Sequence, residues 1–167
     1  LFNTPDGSKF LALGRIFSGT VKTGQRVKVL GEAFTQDDDE DMAIVEVGSV
    51  SVGVGRFSIE VHSAVAGNWV LLEGVDGPIK KTATITAVDV DDVAIFKPLR
   101  FDSTAVMKLA VEPLSPSELP KMVEALRRIN KSYPLVTTRV EESGEHIILG
   151  TGELCMDCVM HDIRHLY

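Results

Sequence analysis

The chain has 167 residues, of which 44% are apolar and 25% charged, the proportions of an ordinary globular protein. Its net charge of −7 excludes a self-sufficient, sequence-independent nucleic-acid binder, which needs a basic stripe to displace counterions, but leaves local RNA contact open. No apolar run approaches the roughly 18 residues of a membrane-spanning helix, and Leu1 to Gly7 lacks the regions of a signal peptide. With no initiator Met, an excised fragment is expected.

Residues 9–100 read as β-rich. Phe10 to Thr20 has strand composition broken by glycines, and the turn at Gly24 before Val27 to Leu30 predicts a hairpin. Val45 to Val54 alternates, with Val50, Val52 and Val54 on one face, and Phe57, Ile59 and Val61 continue the period, so half-buried sheet is expected. Trp69 to Leu72, Thr82 to Thr86 and Ile95-Phe96 supply further short strands. Strands about ten residues apart, separated by Gly, Asn and Asp, predict a small all-β barrel. The acidic run Asp37 to Asp41 lacks the glycine and alternating oxygens of an EF-hand. It reads as a solvated, dispensable insertion at the barrel rim.

From Thr104 the pattern changes. Met107, Leu109 and Val111 predict one strand within Ala105 to Glu112. Ser115 or Ser117 is the expected N-cap of a helix whose first turn tolerates Pro116 or Pro120. Leu119, Met122, Val123, Leu126 and Ile129 share its apolar face, and Lys131 to Pro134 stops it. Val136 to Val140 and Ile147 to Leu149 flank Ser143-Gly144, a hairpin. Gly150-Thr151-Gly152 turns the corner into a second helix, marked by Met156, Val159, Met160 and Ile163. The order β-α-β-β-α predicts a ferredoxin-like domain lacking its last strand, with Ala105 to Glu112 left as an edge. Two domains are therefore expected, an all-β barrel over 1–102 and an α+β ferredoxin-like domain over 103–167.

Several motifs invite chemistry. Gly150-Thr151-Gly152 imitates the start of a dinucleotide fingerprint, but Cys155 stands where the third glycine belongs and the preceding strand sits in a hairpin. Cys155 and Cys158 have C-x-x-C spacing with His161 and His165 beyond. A zinc site wants four ligands, usually from two elements, so buried free cysteines are expected instead. Asn130-Lys131-Ser132-Tyr133 imitates the guanine-reading N-K-x-D with Tyr133 in place of the Asp, and no phosphate-binding G-x-x-x-x-G-K-[ST] occurs. Glu141 and Glu142, with His146 nearby, raise acid–base work, but adjacent strand residues point to opposite faces. No catalytic, cofactor-binding or metal-binding residue is expected in this stretch.

The segment Glu141 to Leu154, E-E-S-G-E-H-I-I-L-G-T-G-E-L, resembles domain III of the translocation GTPases, elongation factor 2 and its relatives. Gly14 to Gln25, G-R-I-F-S-G-T-V-K-T-G-Q, resembles the opening of domain II in translational GTPases. Gly152 to Asp162, with Cys155 where elongation factor 2 favours histidine, and the phrase Ala66 to Ile85 are more similar to the GTPase of the spliceosomal U5 small nuclear ribonucleoprotein. The resemblance covers nearly the whole chain. It implies a nuclear protein of pre-mRNA splicing whose GTP and magnesium bind a nucleotide domain outside this stretch. The stretch itself would be non-catalytic, a binding and conformational-relay module with no cofactor. Its implied partners are U5 proteins, the nucleotide and C-terminal domains of the same chain, and RNA through the assembly, with no membrane. Arg15, Arg56, Glu142 and His146 are the candidate partner or interdomain surface. The rival readings are the same pair of domains from elongation factor 2, acting on the ribosome, and a stand-alone enzyme or metal protein using Cys155, Cys158 and His161.

Overall fold

Alternating valines, punctuated by glycine turns, build the first of two units, Leu1–Pro98. The structure is a computed structural model that describes residues 1–4, 6–36 and 40–167, so the acidic positions 37–39 lie outside the described residues. Among the described residues ten short strands follow one another: β1 (Phe2–Asn3), β2 (Phe10–Arg15), β3 (Thr20–Lys22), β4 (Arg26–Leu30), β5 (Met42–Glu46), β6 (Val50–Val54), β7 (Phe57–Val61), β8 (Ser63–Val65), β9 (Trp69–Glu73) and β10 (Thr84–Ala87). They form a five-stranded half-barrel in the order β1-β2-β9-β6-β7, a three-stranded sheet β10-β4-β5 and a two-stranded ribbon β3-β8. Every pairing is antiparallel.

The core of this unit is small and branched. Val27 and Val29 of β4, Val50 of β6, and Val70 and Leu72 of β9 meet Val47 and Val75 from the loops. Burial of each such side chain contributes about 1.5–3 kcal/mol. Val47 interrupts what the alternation presents as one strand from 45 to 54. Its N–H donates to the Gln25 carbonyl at 2.9 Å and its carbonyl accepts from Gly24 N–H at 2.8 Å, so β5 and β6 belong to different sheets. Gly74 is required at the same junction. Its φ is +86°, and a Cβ there would lie 3.0 Å from the Glu46 carbonyl oxygen.

Several expectations need correction here. The turn at Gly24 forms, with Gln25 N–H donating to the Lys22 carbonyl at 3.2 Å, but no hairpin results. β3 pairs with β8, whereas β4 pairs with β5 and β10. Phe57 and Ile59 are exposed, because the tip of the β6–β7 hairpin runs beyond the core. Ile95-Phe96 is not a strand. Asp41 is also more than a solvated charge. Its carboxylate accepts the Ala33 N–H at 2.9 Å, its carbonyl accepts the Gly31 N–H at 2.8 Å, and a Cβ on Gly31 would collide with that carboxylate.

The second unit, Leu99–Tyr167, runs β11 (Met107–Val111), a 3-10 turn (Pro116–Glu118), α1 (Leu119–Ser132), β12 (Thr137–Val140), β13 (His146–Gly150) and α2 (Glu153–His165). The sheet order is β11-β13-β12, all antiparallel. Among the described residues no strand lies beyond β11, whose Met107, Leu109 and Val111 are half-buried against the core. That core joins Met122, Leu126 and Ile129 of α1, Ile148 of β13, and Met156 and Val159 of α2. Ser115 holds the N-cap position of the 3-10 turn that leads into α1, with Pro116 in its first turn, but its side chain makes no capping bond. Ser115 and Ser117 hydrogen-bond each other at 3.0 Å, and Glu118 occupies the capping position of α1 itself with no side-chain bond.

Candidate partner surface

The four candidate residues divide evenly between the units. Arg15 ends β2, directly across from Trp69 at the start of β9. Its guanidinium carbon lies 5.5 Å from the centre of the Phe17 ring. Arg56 occupies the β6–β7 turn and places its guanidinium 5.1 Å over Phe57. A cation over an exposed aromatic face gains about 0.5–1 kcal/mol. Both arginines are thus held against rings that are themselves in water, Phe17 at 63% and Phe57 at 65% exposure. The two sites share the half-barrel sheet, since β2, β9, β6 and β7 are consecutive in it.

Glu142 and His146 lie at the turn of the β12–β13 hairpin. The hairpin closes because Gly144, at φ +88°, lets its N–H donate to the Glu141 carbonyl at 2.9 Å while Glu141 N–H donates to Glu145 at 3.0 Å. Glu142 is exposed, and His146 is half-buried between Val111 and Val140. β12 ends at Val140, so the two glutamates sit in the turn and not on opposite strand faces. What separates them is bonding. Glu141 accepts hydrogen bonds from Lys108 at 2.9 Å and from Arg139 at 2.8 and 3.1 Å. Those bonds, the Lys108 one foremost, hold its carboxyl below the usual range. Sequence reading missed this cluster because Lys108 lies on β11, distant along the chain.

The remaining motifs resolve into packing. Gly150 is small because the Met156 side chain of α2 occupies the space a Cβ would fill; Gly152 is extended, with φ 173°. Cys155 is half-buried and packs against the core, but Cys158 is exposed, since α2 turns it away from Met156 and Val159. His161 lies beside His165, with centroids 4.7 Å apart and ring planes tilted by 46°, and among the described residues no three His, Cys, Asp or Glu side chains converge. Asn130 to Ser132 close α1, and Tyr133 donates its hydroxyl hydrogen to Asp162 Oδ2 at 2.7 Å. The residue standing where a guanine-reading Asp would be is therefore a tie between α1 and α2. Burial and the adjacent Asp162 carboxylate push the phenol well above its ordinary value.

The half-barrel and the β-α-β-β-α unit are the architectures of translation-factor domains II and III. Residues 9–86 match the family described as Elongation factor Tu domain 2, and residues 103–167 match Elongation Factor G, domain III. The two units thus carry, in chain order, a domain of the Elongation factor Tu domain 2 family and one of the Elongation Factor G, domain III family. It is 55% identical over its whole length to the 110 kDa U5 small nuclear ribonucleoprotein component CLO of Arabidopsis thaliana, and 54% identical to the 109 kDa component GFL of that organism. It is likewise 52% identical over its whole length to the pre-mRNA-splicing factor cwf10 of Schizosaccharomyces pombe. The chain spans 17% of the length of each of these relatives.

Proposed function

We propose that the chain is a non-catalytic protein-binding and relay module of a U5 small nuclear ribonucleoprotein GTPase acting in nuclear pre-mRNA splicing. The observation that carries this reading is identity above half, along the whole chain, to U5 components from plants and to a splicing factor from a fission yeast. GTP and magnesium would bind a nucleotide domain elsewhere in the longer protein. The first unit would complete a barrel of the domain II type, and the second a ferredoxin-like sheet with a further strand beside β11. Two cored units suit a relay, because packed elements pass on a displacement by shifting between discrete arrangements instead of deforming. Arg15, Arg56, Glu142 and His146 would face U5 proteins or neighbouring domains.

The test is affinity capture by the tagged chain from nuclear extract and, in parallel, from a ribosomal fraction. Enrichment of U5 proteins from the nuclear extract is the expected result. Enrichment of ribosomes alone would transfer the module to translocation and overturn the splicing assignment.

A further inference from the structure

Exposed aromatic side chains in the first unit gather at one end of β2. Phe17 and Phe96, 63% and 60% exposed, stack with their centroids 4.9 Å apart and their planes 29° from parallel. Arg15 lies over Phe17, and Trp69, its register partner on β9, presents its indole on the same face of the sheet. Lys97, also exposed, follows Phe96. The grouping is held in place. Phe96 N–H donates to Thr84 Oγ1 at 2.9 Å, and Thr84 is buried in β10, while Ile16 is fixed on both sides by Asn68 and Gly67. Two rings and an indole left in water mark a surface that gains from being covered.

We propose that Arg15, Phe17, Trp69 and Phe96, with Lys97, form a stacking site for one or two bases of single-stranded RNA. Flat apolar faces take nucleobases of any identity, and the Arg15 guanidinium over Phe17, with the exposed Lys97 next to Phe96 in sequence, suits the phosphates. A proline-rich peptide also docks on aromatic grooves, but it has no use for the two cations. The chain's net charge of −7 opposes any long RNA track. The site is therefore weak, salt-sensitive and suited to a strand already held in a larger assembly. The inference stands on these side chains; its place in a ribonucleoprotein rests on the function proposed above.

Trp69 is the chain's single tryptophan, so its fluorescence reports on the site directly. The full chain is titrated with oligouridine about ten nucleotides long at about 50 mM salt. Saturable quenching is expected. Phe96→Ala should weaken it by about 5–100-fold, the loss of one stacked base, and Arg15→Ala should weaken it and reduce the salt slope by about one. Leu154→Ala, at an exposed position of α2 in the second unit, should leave it unchanged. Circular dichroism verifies folding, and if Phe96→Ala fails to fold, Arg15→Ala and Lys97→Ala carry the test. Absence of saturable quenching, or quenching that ignores these substitutions, would overturn the site. So would quenching by a proline-rich peptide and not by RNA. If RNA binding fails while capture of U5 proteins succeeds, only this inference is lost.

Discussion

Tyr133 shows how one hydroxyl decides a pH limit. Its hydrogen bond to the Asp162 carboxylate joins two helices, and burial together with that negative charge raises its pKa. A group whose folded pKa lies above its unfolded value stabilises the fold fully below the unfolded pKa. For a phenol that value is about 10, so the contribution falls away as pH rises above it. Tyr133→Phe should lower the stability of the second unit at neutral pH by roughly 1–2 kcal/mol, because a part-buried carboxylate loses its donor. It should also flatten the alkaline loss of stability, read as melting temperature against pH. Asp41 supports a second residue-scale prediction. Asp41→Ala removes the acceptor for Ala33 N–H and should lower the first unit's Tm by roughly 4–8 °C, about 1 kcal/mol for a domain of this size. Asp41→Asn, which keeps an acceptor oxygen, should cost less. An unchanged Tm in Asp41→Ala would restore the view of this position as a mere solvated charge.

At the scale of elements, the seat of α2 on β13 depends on a missing side chain. Gly150→Ala would place a Cβ against the Met156 side chain, which is 3% exposed and has little room to retreat. A loss of about 1–3 kcal/mol is expected from such overpacking. Combining it with Met156→Ala should destabilise less than the two changes added, since one relieves the other; strict additivity in denaturant melts would show that the contact is not what excludes a larger residue. The helices and the β12–β13 hairpin were legible in the sequence because their signals are local: apolar spacing, Pro134 after α1, Ser143-Gly144 in the turn. The strand partners were not. Val21 and Val27 flank a genuine turn, yet Val21 pairs with Ala64 and Val27 with Val45 and Ala87, choices made by tertiary packing. Ile95-Phe96 has the apolar character of a strand, yet the place of Phe96 is set by its backbone N–H donating to Thr84 Oγ1 and by its ring stacking on Phe17. For the candidate surface, Arg15 and Arg56 were legible as residues, but the aromatic rings beneath them appear only in three dimensions.

For the whole chain, the prediction concerns nucleotide. The function proposed above puts GTP elsewhere in the longer protein, and the only guanine-like motif in this sequence ends a helix and spends its last side chain on Asp162. No phosphate-cradling sequence accompanies it. The isolated chain should therefore leave the anisotropy of a fluorescent GTP analogue unchanged, with or without magnesium. Saturable micromolar binding would place a nucleotide site within these two units.

The pairing of distant strands in the first unit also fixes an order in time. Leu11 must find Glu73, and Val27 must find Ala87, before the half-barrel and its neighbouring sheet exist. In the second unit β12 meets β13 across a tight turn, and each helix adjoins a strand next to it in sequence. Long loop closures slow folding, so the second unit should refold first, and the first unit should lag it by an order of magnitude or more. The chromophores separate the two events without labels, because the one tryptophan, Trp69, lies in the slow unit and both tyrosines, Tyr133 and Tyr167, lie in the fast one. In stopped-flow refolding, the tyrosine signal should settle while the tryptophan signal is still changing. A single shared rate would mean that the two units fold as one.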